Sequence, residues 1–190
     1  LYNKTSSKKF THDGLPSHEF WHYSLKLYSK IPVKDACLHL QNFYGVDVNL
    51  ILFCCWLAVT ERGQISSQQW PFLLSQVDTW QRGIVGGLRN IRSLLSNFSD
   101  LKWASELRKE ILLCELTGEH IEQLMLAEIF LQPVLENRST QQKITDCIQS
   151  LQNYIACLNL HKKSKIYEPL QVVLVEVFPN SVESIRIRPL

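Results

Sequence analysis

Three groups of side chains in this sequence have types and spacings that could do chemistry. The first is His18-Glu19-Phe20-Trp21-His22, a literal H-E-x-x-H. On a helix, residues i and i+4 share a face, so His18 and His22 could hold one zinc ion while Glu19 activates a metal-bound water, as in a zinc hydrolase. A catalytic zinc takes a third protein ligand. No H-x-x-G-x-x-H extension follows Glu19, and His39, Glu119 and His120 are candidates by residue type alone. The motif also opens two residues after Pro16, which reads as a first helical position. Exposed first-turn histidines without metal are the commoner outcome there.

The second group is Asp47 and Asn49, at the head of an apolar stretch. Aspartate is a preferred helix cap, and a buried asparagine can satisfy loop carbonyls, so both residues have a purely structural reading. Their functional reading is a polar floor to a pocket walled by Trp21, Tyr23 and Trp56, a mix of apolar wall and few polar groups that suits a small apolar ligand.

The third group is Arg82, Arg89 and Arg92, which helical periodicity gathers opposite an apolar stripe. Planar guanidinium groups suit carboxylates and phosphates, although such a face is often solvated or paired with neighbouring acids, here Glu106 or Glu110. Gly83, Gly86 and Gly87 lie within a helical pattern with no strand before them, which argues against a phosphate-binding loop. No Ser-His-Asp order is assignable. Cys37, Cys54, Cys55, Cys114, Cys147 and Cys157 have neither C-x-x-C spacing nor a loop-rich setting, so they read as reduced, mostly buried thiols of a cytoplasmic protein.

The elements that must position these groups are helical. With 190 residues, 45% of them hydrophobic, the chain suits one domain with a sizeable core, and a net charge of +2 makes a nucleic-acid partner a poor expectation. Between Asn49 and Thr60 there is no charged side chain, and Gly45 and Gly63 read as helix stops on either side. A helix apolar on all sides must be enclosed by others. It is also shorter than the roughly 20 residues that span a bilayer, so it reads as a core helix capped by Asp47.

Before it, helices are predicted over Ser17 to Ser29 and Val33 to Tyr44. After it, Ser66 and Gln69 read as a capping box opening a segment from Gln68 to about Ser96, whose glycines predict a kink or a close helix crossing. Asp100 reads as the cap of a segment running to about Leu131 with Trp103, Leu107, Ile111 and Cys114 in its apolar rhythm, and Gly118 leaves open whether it is one helix or two. Ser139 caps a further helix. Pro169 opens a short one, Leu170 to Phe178, for which β-favouring Val172 to Val175 is a weaker strand alternative.

The expectation is an all-α, single-domain bundle of about six to seven helices around a buried central helix at 48–60. Its parts are a flexible polar leader at 1–14, a helical domain at 15–178 and a tail at 179–190 to which the pattern assigns no element. No secretory signal or membrane span is visible.

Several of these residues also carry a resemblance. Phe20-Trp21-x-Tyr23-Ser24-Leu25-x-Leu27-Tyr28, Ala36-Cys37-Leu38-x-Leu40-Gln41, Gly45-Val46-Asp47-Val48-Asn49-Leu50 and Trp56-Leu57-Ala58 are similar to the opening of an uncharacterised proteobacterial family known only as a domain of unknown function. Trp80, Leu88, Arg89 and Arg92 also fit it. The resemblance implies a bacterial, soluble, mainly helical protein and brings no catalytic residues. The leading functional expectation is a non-enzymatic interaction module binding an acidic protein surface or small anion through Arg82, Arg89 and Arg92, without cofactor. The alternatives are the zinc hydrolase and the small apolar-ligand binder.

Overall fold

The computed structural model describes residues 14–130 and 132–189, so the expected leader lies outside it except for Gly14. The described residues form α1 (Glu19–Tyr28), α2 (Ile31–Tyr44), α3 (Val48–Val59), α4 (Trp70–Thr79), α5 (Gly86–Leu95), α6 (Lys102–Ile129), α7 (Thr140–Cys157) and α8 (Tyr167–Val177), with no strand among them. None of these helices is long and apolar enough to cross a membrane.

The axis is α3, in which every side chain from Asn49 to Ala58 is buried. Its ends are set locally. Gly45 takes a left-handed φ of 65° to close α2, and Asp47 then accepts a hydrogen bond from the Asn49 backbone amide at 2.8 Å as the N-cap of α3. Around this axis α1 and α7 pack directly on α3, α8 packs on α2, and the second half of α6 closes the remaining side. The fold is therefore an all-α bundle, with α3 at its centre as expected.

Several boundaries differ from the sequence pattern, each for a local reason. Helix α1 begins at Glu19 because His18 is extended and acts as the cap. Ser66 does bond Gln69 through its backbone amide at 2.8 Å, but this closes a turn, and α4 starts only at Trp70. Leu101, not Asp100, is the N-cap residue of α6, with no side-chain cap bond. Ser139 and Gln142 form the full capping box of α7. Helix α8 starts before Pro169, which falls in its first turn. In the tail, Pro179–Ser184 form a short 3-10 turn with no buried residue, and Ile185 and Ile187 are buried, with Gln171 donating to the Ile185 carbonyl and accepting from the Ile187 amide.

The largest departure lies between α4 and α5. Residues Trp80–Val85 form a π turn, so the expected single segment from Gln68 to Ser96 becomes two α-helices with one turn of wider pitch between them. That turn shifts the side-chain register: Val85 is fully buried, while Ile84 and Ile91 are exposed. Helix α6 runs unbroken through Gly118; a Cβ there would stand 3.3 Å from Val85 Cγ2, so glycine lets the two elements approach. The close crossing thus occurs at Gly118 rather than at Gly83, Gly86 or Gly87.

Candidate functional site

Helices α1, α2, α5 and α6 and the head of α3 leave between them a cavity of about 410 Å³. Trp21, Asp47, Asn49, Arg89 and Arg92, drawn from all three sequence groups, lie on its wall. They arrive there from three elements: Trp21 from the buried side of α1, Asp47 and Asn49 from the start of α3, and the arginines from α5 beyond the π turn.

The two arginines do not present free charge. Arg89 donates from Nε to Glu115 Oε1 at 2.9 Å and from Nη2 to Glu119 Oε1 at 2.8 Å, and Arg92 holds both oxygens of Glu115. Glu115 is buried, and its bonds to Arg92 raise the pKa of that guanidinium. Burial pushes the Glu119 carboxyl up, against the pull of Arg89. The pairing acids therefore come from the middle of α6, not from Glu106 or Glu110, and Glu106 pairs instead with Lys109. Arg82 does not join the others. It lies in the π turn, is largely exposed, pairs with Asp78, and borders a neighbouring depression of about 210 Å³.

Beneath the cavity floor is a buried polar cluster that periodicity did not single out. Asn49 donates through Nδ2 to Glu122 Oε2 at 3.0 Å and accepts from Gln123 Nε2 at 2.8 Å, while the Asp47 amide donates to the Tyr154 hydroxyl at 3.0 Å. Glu122 is fully buried. Loss of solvent, and then the negative charge of Asp47 beside it, push its pKa up to about 11, so the Asp47–Glu122 pair holds a proton at neutral pH. The available signal was the spacing of Glu115, Glu119 and Glu122, which share one face of α6 with the buried Leu126.

Three residues that line the cavity, Ser24, Gln81 and Gln123, each hold a buried side-chain oxygen (Oγ, Oε1 and Oε1) with no hydrogen-bond partner among the described residues. Buried polar atoms are almost always paired, so three unpaired oxygens on residues around one cavity are informative.

The H-E-x-x-H residues lie apart from this cavity except for Trp21. His18 is extended, and its Nδ1 accepts from the Phe20 amide at 3.1 Å, while His22 Nε2 lies 2.7 Å from Ser17 Oγ. Because His18 precedes the helix, the two histidines do not stand as an i, i+4 pair on α1. Among the described residues no three His, Cys, Asp or Glu side chains converge as metal ligands. Of the expected third ligands, His120 stacks against Trp21 with ring centroids 4.2 Å apart and 7° between planes, and His39 packs on Phe43.

The two tryptophans also part company. Trp56 sits in the core against Phe20 and Phe53, with the Arg62 guanidinium 5.2 Å from its ring, and is not on the cavity wall. Tyr23 is likewise absent from that wall. Successive residues of α1 stand about 100° apart around the helix, so Trp21 turns toward α6 while Phe20 turns toward α3.

Fold and site together define an all-α bundle protein with a ligand-sized cavity against its central helix. Residues 19–126 match the family described as protein of unknown function (DUF2390), and the chain belongs to that family. The matched segment contains every residue of the cavity wall and ends before α7. No curated protein and no solved structure matches the chain.

Proposed function

We propose that this protein binds a small molecule in the cavity, one with an apolar body and an uncharged or zwitterionic head rich in N–H or O–H donors. The observation that carries the proposal is a cavity of about 410 Å³ whose lining residues Ser24, Gln81 and Gln123 each hold a buried oxygen with no hydrogen-bond partner among the described residues. That volume is within the roughly 300–1,000 Å³ of ordinary ligand sites. Leu25, Leu52, Leu112 and Leu116 supply apolar wall, and Trp21 supplies a flat ring.

The charges on the wall cancel. Lys34, Arg89 and Arg92 stand against Asp47, Glu115 and Glu119. A free anion or an acidic protein surface would have to displace Glu115 and Glu119 from the arginines, at the cost of leaving buried carboxylates unpaired. A donor-rich neutral head needs no such exchange. The same reading takes the protein as cytoplasmic, a setting that suits six free thiols.

The test is binding of a neutral naphthylamine dye, followed by its fluorescence, to wild type and to Leu112→Trp. Leu112 is partly exposed on the cavity wall and outside the buried cluster, so the larger ring fills the space without disturbing the fold. Saturable one-site binding by wild type, weakened at least tenfold in the variant, is the expected result. Equal binding by both proteins, or none by wild type, would remove the proposal.

A further inference from the structure

Helix α6 has 28 residues, about 42 Å of helix, yet its buried residues begin only at Glu115. Helix α5, which packs chiefly on α6, has no buried residue. These two therefore extend as an antiparallel hairpin beyond the body of the bundle, turning through Ser96–Phe98. The apolar rhythm of Trp103, Leu107 and Cys114 does not enter the core: all three are exposed, Trp103 at 80%.

Six exposed apolar side chains fall on one side of this hairpin, while Leu112 and Leu113, also exposed, lie outside that strip. Ile91, Leu94 and Phe98 follow at steps of three and four, Trp103 and Leu107 are one turn apart on α6, and Leu101 lies at the tip between them. At 100° per residue, Arg89 on α5 and Leu112 and Leu116 on α6, which line the cavity, point to the opposite flank of each helix. The strip thus faces away from the ligand cavity.

We infer that this strip is the interface of a homodimer, in which two α5–α6 hairpins lie strip to strip as a four-helix bundle. Charge favours a second copy over other occupants. The projecting part carries Asp100, Glu106 and Glu110 against Lys102, Arg108 and Lys109, a net charge of zero that offers no attraction to nucleic acid, an anionic membrane or an acidic protein. The area is also sufficient. The exposed parts of the six apolar side chains amount to roughly 700 Å² per protomer, close to the about 800 Å² each partner gives to a standard interface. Trp103 is the expected central anchor.

Sedimentation velocity of wild type from 1 to 100 μM, beside Trp103→Glu, Leu94→Glu and the control Phe43→Glu, tests this. Phe43 is equally apolar and exposed but lies on α2. Wild type and the control are expected to be dimers across most of the range, and the two hairpin variants monomers with at least a hundredfold weaker association. All three substitutions are at exposed positions, and helicity by circular dichroism verifies that each variant is folded. A wild type that stays monomeric at 100 μM, or folded hairpin variants that dimerise as the control does, would overturn the inference.

Discussion

Glu122 shows how much one buried group controls. Its proton is retained in the fold up to about pH 11, whereas in the unfolded chain it leaves near the ordinary value of 4.5. Above pH 4.5 the folded state therefore binds the extra proton, and this contribution to stability is complete below that pH and declines as the pH rises toward 11. The slope from one group is about 1.4 kcal/mol per pH unit. Glu119 and Asp146, also raised by burial, slope the same way. In Glu122→Gln the neutral amide stands in for the protonated acid beside Asp47, and its carbonyl can accept from Asn49. The variant is expected to gain about 3–5 kcal/mol at pH 8 and to lose most of the slope between pH 5.5 and 8. Urea unfolding at the two pH values measures both, and an unaltered slope would show that Glu122 ionises normally.

At the scale of elements, the π turn at Trp80–Val85 and Gly118 act together. The turn brings Val85 inward, Gly118 gives it room, and the Trp80 indole donates to the Gly118 carbonyl at 2.9 Å. This contact fixes where α5 lies on α6 and hence where Arg89 and Arg92 meet Glu115. An alanine at 118 needs Val85 to yield by only a few tenths of an ångström and gains up to about 1 kcal/mol of helix propensity, so Gly118→Ala is expected to be near neutral. Gly118→Leu must displace α5 and is expected to cost about 1–3 kcal/mol. Thermal unfolding of the two variants gives the order, and a leucine variant as stable as wild type would mean that the crossing is not tight.

At the scale of the molecule, the family-matched residues hold the site but not a complete core. Helix α7 places Ile144, Cys147, Leu151, Tyr154 and Ile155 among the buried residues, and α8 adds Leu170, Val173 and Leu174. These helices cover α3 and α2, and the Tyr154 hydroxyl reaches the Asp47 amide at the cap of α3. A fragment comprising residues 14–130 would expose that face of α3, at about 1.5–3 kcal/mol for each large apolar side chain uncovered, against a typical total stability of about 5–15 kcal/mol. It is therefore expected to lack a cooperative unfolding transition by calorimetry, and a sharp transition like that of the full chain would show that the matched segment folds by itself.

The sequence by itself determined the elements whose signals are local. The uninterrupted apolar run at 50–59 has to be enclosed, Asp47 and Ser139 cap by short-range hydrogen bonds, and Gly45 permits the left-handed stop of α2, so the all-α fold and its central helix could be read directly. It also contained the residues of the cavity, since Trp21, Asp47, Asn49, Arg89 and Arg92 were all legible as candidates. Tertiary structure alone decided which of them meet. One wider turn at 80–85 rotated α5 relative to α4, separating Arg82 from Arg89 and Arg92 and turning Ile84 outward; a period of 3.6 residues carries no mark of such a shift. The partners of the arginines, the proton on Glu122 and the exposure of Trp103 depend on helices 20 to 70 residues away in the chain, and on how far α6 extends past its neighbours, which no local pattern encodes.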